Sequence, residues 1–188
     1  MKRTTRRSFL KRLVIGSSAL TLPGLRTMSG SVKAAGPNDE IRVGVVGLGG
    51  IEIVGGVGGR GRQLVGHLQK VPGVRIAALC DVDQAVLDHE LQPFQARREP
   101  VAAYVDVRKL LDDKSIDAVA IATPNHWHAL ATIWACQAGK DVYVEKPFSY
   151  NIWEGRQMVA AARKYGRMVQ VGTQSRSSEV LRQAFDYL

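Results

Sequence analysis

Short apolar runs alternate with longer amphipathic segments along most of this chain. The apolar runs, rich in valine, isoleucine and alanine, predict strands at 41–46, 74–80, 104–105, 117–122, 141–144 and 168–171. The amphipathic segments predict helices at 62–70, 86–98, 106–111, 126–138 and 151–165, and a further helix that starts at Ser178. Strands and helices that alternate at this spacing indicate an α/β fold with a doubly wound parallel sheet.

Capping residues support several of these helix boundaries. Asp106 is a typical N-cap residue, and Asn151 with Glu154 forms a capping-box pattern. The helix that starts at Ser178 reaches Leu188 without a glycine or proline behind it. We therefore expect a complete protein to continue beyond this helix; a frayed terminal helix is the alternative.

Positive charge is concentrated at the amino terminus. The formal net charge is +9, and residues 1–34 carry eight basic side chains and no acidic one, so removing those eight leaves +1. The near-neutral remainder argues against a nucleic-acid partner. Arg6 and Arg7 precede a mild apolar run at 13–22, and small residues allow cleavage after Ala34, which predicts a twin-arginine export signal.

This leader has consequences for localisation. The apolar run is shorter than the roughly 20 residues that a stable membrane span needs, so we expect no span. Recognition by the twin-arginine export machinery would place the protein in the periplasm or outside the cell. A basic surface anchor or a tail is the alternative interpretation.

Cysteine and histidine offer little chemistry by their spacing. Cys80 ends an apolar run and Cys136 lies within a predicted helix, so we expect both to be buried, unreactive thiols. The four histidines have no supporting cysteine or carboxylate at metal-ligand spacing, and no metal site is predicted.

Glycines follow the first predicted strand in two similar segments. Gly47 and Gly49 follow the better strand, but Glu52 occupies the place of the third glycine. The second segment, with Gly56, Gly58 and Gly61, completes the Gly-x-Gly-x-x-Gly fingerprint of dinucleotide-binding Rossmann-like folds. A small tandem duplication accounts for the similarity. Spacing favours the second copy as the phosphate loop. Two arrangements of strand one are open: residues 51–54 replace 41–46, or 41–46 remains strand one and the loop bulges.

An acidic residue stands where such a fold binds ribose. Asp81 ends the second strand twenty residues after Gly61, near the expected spacing. A carboxylate accepts hydrogen bonds from ribose hydroxyls and repels a 2′-phosphate, so NAD is favoured over NADP. Arg60 is a candidate phosphate contact, or a solvated side chain. A helix cap is the alternative role for Asp81.

Two further motifs end strands on the other half of the sheet. Thr123, Pro124 and Asn125 follow one strand, and Glu145, Lys146 and Pro147 follow the next. Because the carboxyl ends of parallel strands border the ligand crevice, both motifs are expected beside the cofactor. We expect Asp81 and Lys146 to project from neighbouring strand ends into one groove.

Together these motifs make the chain resemble the Gfo/Idh/MocA oxidoreductases over residues 40–180. The resemblance rests on Gly-Val-Gly-Gly-Arg-Gly at 56–61, Ala-Leu-Cys-Asp-Val-Asp at 78–83, the segment at 116–129 that contains Thr-Pro-Asn-His-Trp-His, Val-Glu-Lys-Pro at 144–147, and Val-Gly-Thr-Gln at 171–174. The duplicated glycine segment is the one clear departure from the family pattern.

The resemblance also implies roles for individual residues. Thr123, Pro124 and Asn125 would line the nicotinamide ribose, with Glu145 close to the nicotinamide. Lys146 would be the active-site lysine that hydrogen-bonds the substrate hydroxyl, and His128 would lie nearby with a catalytic or a packing role. Pro147 restricts Lys146 to extended dihedrals and so directs it into the cleft.

The implied reaction is hydride transfer between NAD and a sugar or polyol hydroxyl carbon. A glycosidase that uses the same redox step transiently, and a non-catalytic nucleotide-binding remnant, are the alternatives. We assign 1–34 to the export signal, 35–174 to an NAD-binding Rossmann domain and 175–188 to a helix leading to an absent α+β substrate domain. For the full-length protein, the family resemblance implies a homo-oligomer. We expect the fragment to bind NAD without turning over substrate.

Overall fold

The computed structural model of this protein describes residues 40–50 and 59–187. The predicted export signal at 1–34 lies outside the described residues, and so do Gly56 and Gly58 of the second glycine segment. Among the helices between residues 60 and 187, none combines the length and the apolar character that crossing a membrane requires.

Six parallel strands form one sheet in the order β3-β2-β1-β4-β5-β6. The strands are β1 (Ile41–Val46), β2 (Val74–Cys80), β3 (Ala102–Tyr104), β4 (Ala118–Ile121), β5 (Asp141–Glu145) and β6 (Val169–Gly172). The order reverses between β1 and β4, where Val46 pairs with Cys80 on one side and Ile121 on the other. This reversal creates a crevice at the carboxyl ends of the central strands.

Helices connect the strands and cover both faces of the sheet. They are α1 (Arg60–Leu68), α2 (Gln84–Ala96), α3 (Val107–Asp112), α4 (Asn125–Gln137), α5 (Ile152–Tyr165) and α6 (Glu179–Tyr187), with a 3₁₀ turn at Gln174–Ser177. The predicted α/β, doubly wound parallel architecture is confirmed. α1 starts two residues before the predicted helix, and β3 lies slightly earlier than the predicted strand at 104–105.

Two apolar layers sandwich the sheet. Val45 and Leu79 point to the side covered by α1 and α2, where Leu87 is fully buried. Val46 points to the opposite side, which α3, α4 and α5 cover. Alternate residues of a strand face opposite sides, so a strand buried on both faces needs a continuous apolar sequence. Each fully buried leucine stabilises the fold by about 1.5–3 kcal/mol.

The choice left open for strand one is decided by its pairing. Ile41–Val46 is β1, and it pairs with β2 and β4 on its two sides. The original strand therefore remains in place, and the extra residues of the duplication lie between β1 and α1.

Candidate functional site

A cavity of about 430 Å³ opens at the carboxyl edge of the sheet, at the reversal of strand order. Its walls come from the segments that follow β1, β2, β3 and β4. The lining residues are Val46, Gly47, Gly49, Gly50, Cys80, Asp81, Val82, Asp83, Val86, Val105, Val107, Ala122, Thr123, Pro124, Trp127 and Ala131. The cavity is mostly apolar, and two carboxylate residues, Asp81 and Asp83, are part of its lining, which suits a flat ring attached to a hydroxylated sugar.

The turn after β1 is built by glycines for steric reasons. Gly47 has φ of +82°, and a Cβ atom there would lie 2.7 Å from the backbone nitrogen of Thr123. Gly49 also has a left-handed φ of +90°. A Cβ on Gly61 would collide with the carbonyl group of Gly47, so Gly61 lets α1 pack directly on the turn. These are the turn and helix-packing roles of the fingerprint glycines.

The fingerprint is therefore assembled from both copies of the glycine segment. Gly47 and Gly49 of the first copy supply the strand-end turn, and Gly61 of the second copy supplies the helix contact. Gly61 follows Gly49 by twelve residues, where the contiguous fingerprint has three. The preference for the second copy as the phosphate loop stays a prediction, because Gly56 and Gly58 lie outside the described residues.

The carboxylate of Asp81 is held by the loop that it faces. One oxygen accepts a hydrogen bond from the backbone N–H of Leu48 at 2.7 Å, and the other accepts from the N–H of Asp83 at 3.1 Å. Asp81 therefore joins the glycine turn to the end of β2 and still borders the cavity. A carboxylate oriented in this way can accept further hydrogen bonds from sugar hydroxyl groups.

The segment after β4 contributes a polar group to the same cavity. Thr123 and Pro124 line it, and Asn125 is exposed at the first turn of α4. The hydroxyl oxygen of Thr123 is buried and has no hydrogen-bond partner among residues 40–50 and 59–187. Buried hydroxyl groups are normally paired, so this oxygen is a ready contact for a bound ligand.

His128 connects two loops from within the protein. It is 1% exposed, and its ring nitrogens lie 2.6 Å from the carbonyl oxygen of Pro147 and 2.8 Å from that of Thr123. Both ring nitrogens are thus occupied by backbone groups. This arrangement suits a residue that fixes the loops after β4 and β5 relative to each other.

Glu145 and Lys146 lie at the end of β5 in contrasting environments. Glu145 is 4% exposed, whereas Lys146 is exposed and precedes a cis peptide bond to Pro147. Lys146 is on the same edge of the sheet as Asp81, but β1 and β4 lie between their strands. The expectation of neighbouring strand ends is therefore wrong, although both strands end at the same edge.

Arg60 does not lie in the cavity wall. Its Nε donates to a carboxylate oxygen of Glu145 at 2.7 Å, across 85 residues of sequence. The candidate phosphate contact is thus engaged with the end of β5.

Two cavity residues carry information that sequence reasoning missed. Trp127 lines the cavity, is 40% exposed and contacts Trp134 with ring centroids 6.2 Å apart. Val105 lines the cavity from the end of β3. Both residues come shortly after the end of a strand in the sequence, and this position is the signal that could have identified them as cavity residues.

The buried cysteines have the inert character expected of them. Both are free thiols, and burial together with the charge of Asp81 raises the pKa of Cys80 to about 12. Within the part of the chain that the structure describes, no three His, Cys, Asp or Glu side chains are grouped to hold a metal ion.

A parallel sheet in this order, with glycines at the end of β1 and a carboxylate at the end of β2, defines a dinucleotide-binding Rossmann domain. The chain belongs to the Gfo/Idh/MocA family. The family model, described as an oxidoreductase family with an NAD-binding Rossmann fold, matches residues 41–173.

Curated relatives are longer than this chain. It is 34% identical over 167 residues to glycosyl hydrolase family 109 protein 2 of Shewanella sp. strain ANA-3, covering 79% of this chain and 35% of the relative. It is 32% identical over 177 residues to a glycosyl hydrolase family 109 protein of Shewanella pealeana, covering 85% and 37%. The chain thus spans about a third of the length of these relatives.

Solved structures agree on the fold. Myo-inositol 2-dehydrogenase of Lactobacillus plantarum superposes with a TM-score of 0.66 at 26% identity, covering 77% of this chain and 40% of the other. Scyllo-inositol dehydrogenase of Lactobacillus casei, solved with NAD(H) and scyllo-inositol, gives 0.65 at 24% identity, covering 77% and 39%. The latter likeness supports the fold alone.

Proposed function

We propose that this chain is the cofactor-binding part of an oxidoreductase that transfers hydride between NAD and a hydroxyl-bearing carbon of a sugar or polyol. The observation that carries the proposal is the carboxylate of Asp81, which is fixed by Leu48 and Asp83 at the edge of the cavity. The sugar or polyol class is supported by the inositol dehydrogenases and glycosyl hydrolases among its relatives.

The residues present fit NAD. Gly47 and Gly49 adopt the left-handed backbone of the turn that precedes the pyrophosphate in such folds, and Asp81 suits the hydroxyl groups of the adenosine ribose. The unpartnered hydroxyl group of Thr123 offers a hydrogen bond at the strand reversal. A carboxylate at the ribose position favours NAD over NADP. Bound NAD would supply the hydride acceptor or donor.

Lys146 would act on the substrate. It is exposed at the carboxyl end of β5, and its compact ammonium group on a flexible four-carbon stem can hydrogen-bond a hydroxyl group or its conjugate base. His128 would keep the Lys146–Pro147 loop fixed relative to Thr123 through its two carbonyl contacts.

The export signal, the periplasmic location and the homo-oligomer remain proposals; the first two are supported by Arg6 and Arg7.

A glycosidase with a transient redox step is the second candidate. It is favoured by the curated relatives, which are glycosyl hydrolase family 109 proteins at 30–34% identity. In a chain of the relatives' length, net reduction of NAD with a polyol would support the dehydrogenase. Cleavage of a glycoside without net reduction would support the glycosidase.

The cofactor assignment can be tested by calorimetric titration with NAD. We expect Asp81→Ala to weaken binding about tenfold or more, because hydrogen bonds to a charged group are lost. Asp81→Asn is the closer variant, since its amide oxygen can still accept from Leu48. The matched control is Asp112→Ala, an exposed carboxylate outside the cavity.

Equal affinity for NAD in the Asp81 and Asp112 variants would show that the ribose assignment is wrong. If the unaltered chain binds no NAD while its circular dichroism spectrum is that of a folded α/β protein, the proposal that this chain binds the cofactor is wrong.

A further inference from the structure

Arg60 and Glu145 form a mostly buried ion pair between the first helix and the end of β5. Their Nε and Oε1 atoms are 2.7 Å apart, and the side chains are 28% and 5% exposed. A carboxylate this deeply buried is costly unless a cation and hydrogen bonds compensate its charge. Arg60 provides that compensation.

The guanidinium group of Arg60 is held by further polar partners. Its Nη1 donates to Gln63 at 3.0 Å. With the amide of Gln174 oriented to satisfy both of its ends, the oxygen of Gln174 accepts from Nη2 of Arg60 at 3.0 Å, and its nitrogen donates to the carbonyl oxygen of Gly172. A planar, forked cation can serve three partners in this way, whereas a lysine ammonium cannot reproduce the geometry.

Gly172 leaves room for this cluster. Its φ is not left-handed, so conformation alone does not require glycine. A Cβ atom there would lie 2.7 Å from the hydroxyl oxygen of Tyr143 and 2.9 Å from Oε1 of Glu145. The end of β6 is therefore shaped around Glu145 and Tyr143, which indicates that the pair is a built feature of the site.

Electrostatics favour a charged guanidinium group at Arg60. Burial opposes the charge of Arg60, but the hydrogen bond and the charge of Glu145 outweigh it and raise the pKa of Arg60. Burial, followed by the charge of Glu145, raises the pKa of Tyr143, whose hydroxyl group donates to Glu145 at 3.3 Å. Tyr143 therefore stays neutral, and the net charge of the three side chains is zero.

The pair lies on the nicotinamide side of the cleft. Asp81 lies at the end of β2, on the side of the strand reversal that suits the adenosine half, and the cavity extends from there to the segment after β4. A dinucleotide crosses the reversal of strand order, so its other half lies over β4, β5 and β6. Glu145 is the last residue of β5.

We propose that Arg60 is a specificity-determining positioning residue: by cancelling the charge of Glu145, it prevents the site from favouring the oxidised over the reduced cofactor. The inference rests on the proposed binding of NAD. The nicotinamide ring is cationic when oxidised and neutral when reduced. An uncompensated carboxylate at the end of β5 would hold the oxidised form and oppose its exchange or reduction.

Opposite charge changes test this role. In Arg60→Met the carboxylate of Glu145 is unopposed, and we expect the ratio of the NAD⁺ to the NADH dissociation constant to fall about five- to tenfold. In Glu145→Gln the guanidinium of Arg60 is unopposed, and we expect the ratio to rise by a similar factor. The double variant should return close to the original ratio.

The matched control is a second arginine–glutamate pair. Arg97 and Glu99 are also 2.7 Å apart, but both are 46% exposed and lie outside the cavity. Arg97→Met and Glu99→Gln should leave the ratio unchanged. Both dissociation constants are measured by calorimetry, and folding is checked by circular dichroism.

The sign of the change separates the outcomes. A purely structural role predicts that both single variants weaken NAD⁺ and NADH equally, and that result would overturn the inference while leaving NAD binding intact. If Arg60→Met does not fold, Glu145→Gln decides alone, since it preserves size and predicts a higher ratio. If the unaltered chain binds neither form, the proposed function and this inference both fail.

Discussion

The ring of His128 lies within hydrogen-bond distance of two backbone carbonyl groups, and a neutral imidazole donates to one of them at a time. Its ring lies between the oxygens of Thr123 and Pro147, and it is almost fully buried. The side chain is therefore part of the support beneath the loops that border the cleft. Its role is to hold Lys146 and Thr123 in a fixed relation from within the protein.

Removing this side chain should cost considerable stability. We expect His128→Ala to lower the free energy of unfolding by about 2–4 kcal/mol, because it leaves a cavity and removes the ring contacts to the carbonyl groups of Thr123 and Pro147. Urea unfolding followed by circular dichroism measures the change. His126→Ala is the control, since His126 is exposed and should change stability by about 0.5 kcal/mol or less.

A small effect in both histidine variants would contradict the structural role of His128. A large effect in His128→Ala alone would support it.

Individual site residues differ in how far the sequence predicted their contacts. Asp81 was found because a carboxylate at the end of β2 follows the glycines at a characteristic spacing. Arg60 was a candidate phosphate contact or a solvated side chain, yet it pairs with Glu145, which lies 85 residues away. No local pattern encodes such a pairing, because it depends on how the strands are ordered in space.

At the scale of single elements, helix starts followed local rules. Asp106 accepts from the backbone N–H of Arg108 at 2.9 Å and caps α3. Asn151 accepts from the N–H of Glu154, and the carboxylate of Glu154 accepts from the N–H of Tyr150. These contacts span two to four residues, so the sequence predicts them directly.

The Asp106 cap should give α3 an acid-sensitive contribution to stability. The side-chain hydrogen bond from Arg108, followed by its backbone N–H, lowers the pKa of Asp106 from 3.8 to about 2. Because the folded-state pKa is the lower one, the stabilisation is present above pH 3.8 and is lost as the pH falls through about 2.

Asp106→Asn provides the comparison, because its amide oxygen can still cap the helix without titrating. In urea unfolding, we expect the stability difference between the unaltered chain and this variant to shrink between pH 5 and about pH 2. A difference that stays constant over this window would show that the charge of Asp106 contributes nothing to α3.

Edge strands were predicted less accurately than caps. β3 covers Ala102–Tyr104, whereas the sequence indicated 104–105. Two of its three residues are exposed alanines, which carry little strand propensity. Their strand conformation comes from pairing with Ala78, Leu79 and Cys80 of β2. Pairing partners are a tertiary property, so a short edge strand has little signal of its own.

At the scale of the whole molecule, the most unusual feature is the divided fingerprint, in which the glycines of the dinucleotide-binding motif come from both copies of the glycine segment. Gly47 and Gly61 meet as they would in a contiguous fingerprint, although nine additional residues separate Gly49 from Gly61. The packing of α1 on the sheet thus brings the two parts of the motif together, although they are not adjacent in the sequence.

Deleting residues 51–59 would join Gly50 to Arg60 and restore a contiguous Gly-Leu-Gly-Gly-Arg-Gly. We expect this deletion to tighten NAD binding severalfold, because a shorter loop loses less entropy when its amides order around the pyrophosphate. Calorimetric titration measures the affinity. Deleting 51–59 together with Asp81→Ala should remove the gain if the ribose contact is correctly assigned.

Weaker NAD binding after the deletion would show that the additional residues contribute to the cofactor site. Unchanged binding would show that the divided fingerprint has no cost.

Periodicity, local hydrogen bonds and motif spacing are properties of the amino-acid sequence, and they were enough to predict the α/β class, most helix boundaries, the strand-end position of Asp81 and the family resemblance. The tertiary structure decided which segment forms β1, how two glycine copies share one fingerprint, and why Arg60 binds Glu145. Those outcomes depend on strand order and close packing, which bring together residues far apart in the chain.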